Sequence, residues 1–125
     1  MTTSPGAQRF DKGRRLRQRG EFQKVFDTGI RVRGRFLTIL VAPAQTNRSR
    51  LGIIASKKVG DAVRRNRAKR LIRELFRRNQ NSSPDIRVDM VVIPRVEVFT
   101  AAFTVLEEDY RSVVARCLPR LGKAR

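Results

Sequence analysis

The chain contains no histidine, one cysteine and only 11 acidic residues among 125, and each shortage removes a class of chemistry. Without histidine it lacks the usual general base of metal-free nucleases. Metal-dependent RNA cleavage by a protein needs clustered carboxylates. The acids here are scattered except for Glu107, Glu108 and Asp109, and consecutive residues of a helix do not share a face, so these three read as a solvated helix edge. Ser56 has no partner base within local sequence reach and is not an activated nucleophile. A single cysteine, Cys117, allows no intramolecular disulfide and no cysteine-based zinc site, which predicts a reducing, cytoplasmic setting. Long apolar runs are missing too. "FLTILVAP" and "MVVIP" fall well short of the roughly 20 residues that span a bilayer, and "MTTSPGAQRFDKGRRLRQRG" has no apolar core of a secretory signal. No membrane association, no catalytic side chain and no metal or cofactor held by this chain is expected.

Positive charge is what the sequence has in excess. Lys and Arg number 29, giving a net charge of +18, while apolar residues still make up 40% and can form one small core. Such a charge destabilises the compact state through self-repulsion, and a polyanion that binds the folded form relieves it with release of counterions. Nucleic acid is the partner this predicts, with no protein partner required.

Residues 1–15 carry almost no apolar content and read as a disordered basic arm. A domain is expected over 16–119, with a basic tail at 120–125. From Leu16 to Thr28, Phe22, Val25 and Phe26 stand at helical spacing, and Gly29 occupies the place of a left-handed cap. "IRVRGRFLTILVAP" and "LGIIASKK", separated by "PAQTNRSR", read as two strands of a hairpin. Asp61 is placed to cap a helix that runs to the breakers "NQNSSPD". "IRVDMVVIP" reads as a further strand. Thr100 is placed to cap a last helix carrying Phe103, Leu106, Tyr110, Val113, Val114, Cys117 and Leu118 up to Pro119. The expected order is α-β-β-α-β-α, an α/β (α+β) two-layer sandwich of helices on a small mixed sheet.

The charge is densest in "AVRRNRAKRLIRELFRR", residues 62 to 78. On a helical wheel Ala68, Leu71, Ile72, Leu75 and Phe76 form an apolar stripe, while Asn66, Lys69, Arg70, Arg73 and Arg77 share the opposite side. A merely solvated face would mix signs, because like charges four apart destabilise a helix by a few tenths of a kcal/mol. Arg64, Arg65 and Arg67 stand in the first turns, where the helix dipole disfavours cations by roughly 0.3 to 1 kcal/mol each. Folding alone does not select this arrangement; guanidinium forks that grip phosphates do. Lys57 and Lys58, just before the helix, either extend the patch or protect a sheet edge.

"RLGIIASKKVGDAVRRNRAKRLIRELFR" at 50 to 77 resembles the signature of the bacterial ribonuclease P protein subunit, an Arg-Asn-Arg helix followed by Lys-Arg and Arg-Glu. The matching positions are Arg65, Asn66, Arg67, Lys69, Arg70, Arg73 and Glu74, and "GEFQKVFDTG" resembles the family's first helix. The resemblance implies an α/β sandwich with a left-handed βαβ crossover. It also implies a subunit that binds a catalytic RNA through Lys57, Lys58, Arg65, Asn66, Arg67, Lys69, Arg70, Arg73 and Arg77, and the 5′ leader of precursor tRNA in a cleft. The chemistry would belong to the RNA subunit and its Mg²⁺.

By spacing alone Phe22, Phe26 and Phe36 read as core. The resemblance shifts Phe22 and Phe26 towards a part-exposed cleft that stacks on single strands, with Arg35, Phe36 and Ser56 beside it. Family members often carry a tyrosine further along the first long strand, where this chain has Ile39 and Leu40. A ribosomal or other structural RNA-binding protein is the alternative that a basic α/β sandwich also permits.

Overall fold

The structure, a computed structural model, describes residues 15–46, 48–79 and 87–123. Helix α1 spans Arg19–Thr28. Strands β1 (Ile30–Arg33), β2 (Leu37–Pro43) and β3 (Arg50–Ile53) follow, then α2 (Ala62–Asn79), β4 (Val88–Pro94), a short 3-10 turn (Val96–Thr100) and α3 (Phe103–Lys123). Residues 1–14 of the expected arm, the breakers 80–85 and residues 124–125 of the tail lie outside the described residues.

The four strands lie in the order β1-β2-β4-β3. The expected hairpin of "IRVRGRFLTILVAP" with "LGIIASKK" is not formed. The first segment is itself the hairpin: it turns at Gly34–Phe36, pairs Arg31 with Leu40 and Arg33 with Thr38, and is held where Asp109 accepts the Arg35 and Phe36 N–H groups at 3.0 and 2.9 Å. β4 then enters between β2 and β3, antiparallel to the first and parallel to the second. Patterning explains the order. β2 and β4 are apolar on both faces and are buried at nearly every position, so they take the centre, whereas β1 alternates arginine with Ile30 and Val32 and suits an edge. β3, α2 and β4 make the βαβ unit in which the resemblance places its crossover.

Helices cover both faces of the sheet. On one side Ile39, Val41, Leu51, Met90 and Val92 pack with Ala68, Ile72, Leu75 and Phe76 of α2 and Leu106, Tyr110, Val113 and Cys117 of α3. On the other, Leu40, Ala42 and Val91 pack with Leu16 and Val25, and with the half-buried Phe22, in a smaller cluster under α1. Each fully buried Leu, Ile or Val contributes about 1.5 to 3 kcal/mol. Burial explains two chemical silences: desolvation pushes the Cys117 thiol up to about 11 and raises the Tyr110 hydroxyl further, so both stay neutral.

Local signals hold in part. Asp61 caps α2, its Oδ1 accepting the Arg64 N–H at 3.0 Å and its carbonyl the Arg65 N–H at 2.9 Å. Gly29 is extended (φ −85°, ψ 165°) and not left-handed; glycine is needed because a Cβ would lie 2.4 Å from the Val25 carbonyl oxygen. Thr100 ends the 3-10 turn by donating to the Glu97 carbonyl, and the first helical bond of α3 instead reaches the Ala102 carbonyl. α3 also continues past Pro119, because Leu121 is buried against the core and holds the last turn in place.

Candidate nucleic-acid interface

α2 shows how few acids are left to neutralise its arginines. Its apolar stripe is buried at Ala68, Ile72, Leu75 and Phe76 and half-buried at Leu71, and Asn66, Arg67 and Arg70 are exposed, with Arg65, Lys69 and Arg73 half-buried at the rim. Among the described residues Arg65, Arg67, Lys69, Arg70 and Arg73 make no salt bridge. Burial and the nearby Arg15 and Arg70 cations make Arg73 easier to deprotonate than an ordinary arginine. Like charges are therefore held together here against their mutual repulsion.

The two arginines at the end of α2 differ. Arg77 donates Nε to Glu74 at 3.0 Å, which holds the Glu74 carboxyl below its usual range, so this expected RNA-binding residue shares its charge within the helix. Arg78 donates to Glu107 at 3.1 Å and lies 5.3 Å over the Phe103 ring, joining α2 to α3. Glu107 is not the solvated edge residue its sequence neighbours suggest. It is buried, also accepts from Asn79 at 3.1 Å, and forms an ion pair with Arg111 at 3.6 Å. Glu107 and Asp109 are thus both committed to the fold while Glu108 is exposed, and the described residues contain no group of three metal-ligating side chains.

Phe22 shares a small cavity with the cationic helix. A cavity of about 130 Å³ is lined by Phe22, Leu51, Gly52 and Ile53 together with Lys69, Arg73 and Arg15. Gly52 makes this possible, since a Cβ there would stand 2.5 Å from the Phe22 ring edge. Phe26 is 40% exposed on the same helix.

Beyond α1 the same sheet face stays open as a groove of about 550 Å³, walled by Arg31, Arg33, Thr38, Ile93 and Pro94 and by Ser56 and Lys58 across it. Ser56 fixes the bend into α2 by accepting the Lys58 N–H at 3.3 Å, and Lys57 and Lys58 are exposed. The groove does not include Arg35 and Phe36. Phe36 is buried in the core beneath α2 and α3, and the Arg35 guanidinium lies 5.2 Å over its ring. In their place stand Arg31 and Arg33, which alternate with Ile30 and Val32 along the edge strand β1.

The sequence pattern of the ribonuclease P family matches residues 10–118. The chain belongs to the ribonuclease P protein family. It is 47% identical to the ribonuclease P protein component of Desulfatibacillum aliphaticivorans over 61% of this chain and 64% of that protein. With the component of Syntrophomonas wolfei the identity is 35%, over 85% and 88%. The solved ribonuclease P protein of Thermotoga maritima superimposes with a TM-score of 0.72 at 36% identity, covering 82% of this chain and 96% of that one. The mixed four-stranded sheet with three helices is thus the ribonuclease P protein fold. No described helix is long and apolar enough to cross a membrane.

Proposed function

We propose that this chain is the protein subunit of ribonuclease P, acting in the cytoplasm. It binds the catalytic RNA through the cationic face of α2, with Lys57, Lys58, Arg65, Asn66, Arg67, Lys69, Arg70 and Arg73, and receives the 5′ leader of precursor tRNA along the sheet face beside α1. Phe22 and Phe26 supply aromatic faces for unstacked bases, and Arg31, Arg33 and Lys58 supply charge for the phosphates between them. Endonucleolytic removal of the leader would be carried out by the RNA subunit with Mg²⁺, and this chain contributes binding and positioning.

The observation that carries the reading is the junction of Phe22 with Lys69 and Arg73 around one cavity, which joins a stacking surface to the RNA-binding helix. Replacing Phe26 with Leu keeps apolar area but removes a π-face, worth about 1 to 3 kcal/mol per stacked base. Holoenzyme affinity for precursor tRNA should fall about tenfold while affinity for mature tRNA, which lacks the leader, stays level. Equal losses for the two tRNAs would place the leader elsewhere.

A further inference from the structure

A second cationic cavity lies away from the motif helix, where the chain enters α1. It is open, has a volume of about 700 Å³, and is lined by Arg15, Arg17, Arg48 and Arg50 with Gln18, Glu21 and Thr46. Among the described residues four of the seven that line it are arginines and one is a carboxylate, which is already engaged. Glu21 accepts Arg50 Nη1 at 2.7 Å and the Arg17 and Gln18 N–H groups at 2.7 and 3.0 Å.

Both walls are built rather than loose. On one side Arg15 bridges to Leu51, Leu16 N–H donates to the Leu51 carbonyl at 2.9 Å, and Glu21 grips the backbone of Arg17. On the other, Thr46 and Arg48 close on each other through a pair of side-chain-to-backbone hydrogen bonds at 3.0 and 3.3 Å. Arg50 is held from behind by Asp89, which also accepts the Gln45 N–H at 3.4 Å. Arg17 and Arg48 remain exposed at the two rims.

Arg15 connects this cavity to α2. It lines both this cavity and the smaller one shared by Lys69 and Arg73, and it is close enough to disfavour the charged form of Arg73. Arginines therefore follow one another from Arg70 and Arg73 over Arg15 to Arg17 and Arg48.

We infer that the Arg15–Arg17–Arg48 cavity is a separate phosphate-backbone site for RNA, which continues the α2 interface around the entry to α1. It rests on the RNA-binding reading above and adds to it a surface outside the motif helix and the sheet groove. Its recognition is of the phosphodiester backbone, because arginines are the commonest residue of its lining and none of the described lining residues carries an aromatic ring to stack on a base.

The test uses the full-length protein with Arg17→Ala and Arg48→Ala, singly and together, and the ribonuclease P RNA and precursor tRNA as probes. Each arginine–phosphate pairing that a substitution abolishes lowers the slope of log affinity against log salt by about 0.7 to 0.9. The double variant should lower that slope by about 1.5 for one of the two RNAs, with an unchanged melting midpoint. A decrease with the ribonuclease P RNA alone identifies the catalytic RNA as the source of the phosphates; a decrease only for precursor tRNA bound to holoenzyme identifies the substrate. If both slopes stay at wild-type values while Arg70→Ala lowers the first, the cavity is not an RNA site and the proposed function stands. If Arg70→Ala also leaves it unchanged, the RNA-binding reading fails with it. Arg17→Ala alone, which keeps the backbone bond to Glu21, decides the matter if Arg48→Ala lowers the melting midpoint.

Discussion

Arg50 and Asp89 stand side by side on the parallel strands β3 and β4, and the guanidinium meets the carboxylate fork to fork, Nε to Oδ1 at 3.1 Å and Nη2 to Oδ2 at 3.0 Å. Asp89 is almost wholly buried, and the third arm of Arg50 reaches Glu21 on the far side of the chain entry to α1. One arginine thus ties the sheet to the helix that carries Phe22 and Phe26.

Removing one member of a buried pair leaves an uncompensated charge, which costs more than the pair itself contributes. Asp89→Ala should therefore destabilise the protein by about 3 to 5 kcal/mol, seen as a lower urea midpoint. A loss below about 1 kcal/mol, the level of an exposed pair, would mean that Arg50 finds water when Asp89 is gone.

Acid should loosen the same joint. N–H groups of Gln18 and Arg17, with the Arg50 guanidinium, hold the Glu21 carboxyl below its ordinary 4.5. A depressed carboxylate contributes stability that is fully present above its unfolded value and is lost as pH falls through the folded one. The melting midpoint should be level above about pH 5 and decline below 4.5, with Glu74 and Glu107 adding the same sign. Glu21→Gln should flatten part of that decline; a profile identical to wild type would show that Glu21 titrates alike in folded and unfolded chains.

Gly52→Ala tests the seat of Phe22. The new methyl would stand 2.5 Å from the ring edge and 3.1 Å from Leu16 Cβ, so the ring must move off β3. Overpacking of this kind costs about 1 to 3 kcal/mol. Paired with Phe22→Leu the cost should shrink, a coupling of at least about 0.5 kcal/mol in a double-mutant cycle. Strict additivity would show that the backbone, not the ring, yields.

Periodicity carried the helices well because α2 and α3 each bury one stripe, and a stripe at 3.6 spacing is visible in any single sequence. Sheet order was less legible. That β4 enters between β2 and β3 depends on which apolar strands need cover on both faces, a competition among distant segments. The site divides in the same way. The cations of α2 stand where the wheel put them, since one helix decides their direction. Spacing alone reads Phe36 as core and the resemblance sets it beside the cleft; the turn at Gly34–Phe36 is held by Asp109, more than seventy residues away, and the ring lies in the core. Arg31 and Arg33 stand in the groove only because their segment folds into a hairpin of its own and takes the edge of the sheet, a placement the segment alone does not signal.

Arg73 separates folding from binding most sharply. Its guanidinium is half-buried and lies near Arg15 and Arg70, and no carboxylate among the described residues forms a salt bridge with it. Replacement by Gln keeps much of the length, can still donate hydrogen bonds, and removes the repulsion. Stability should stay level or rise by a few tenths of a kcal/mol, the size of a like-charge pair on a helix. Affinity for the ribonuclease P RNA should move the other way. A charge-assisted hydrogen bond to phosphate contributes about 1.5 to 3 kcal/mol, so binding at fixed salt should weaken about tenfold or more. Calorimetric melting beside filter binding checks both signs on one preparation. A variant that melts lower and binds RNA as well as wild type would make Arg73 a packing residue, and the cationic face of α2 would then end at Arg70.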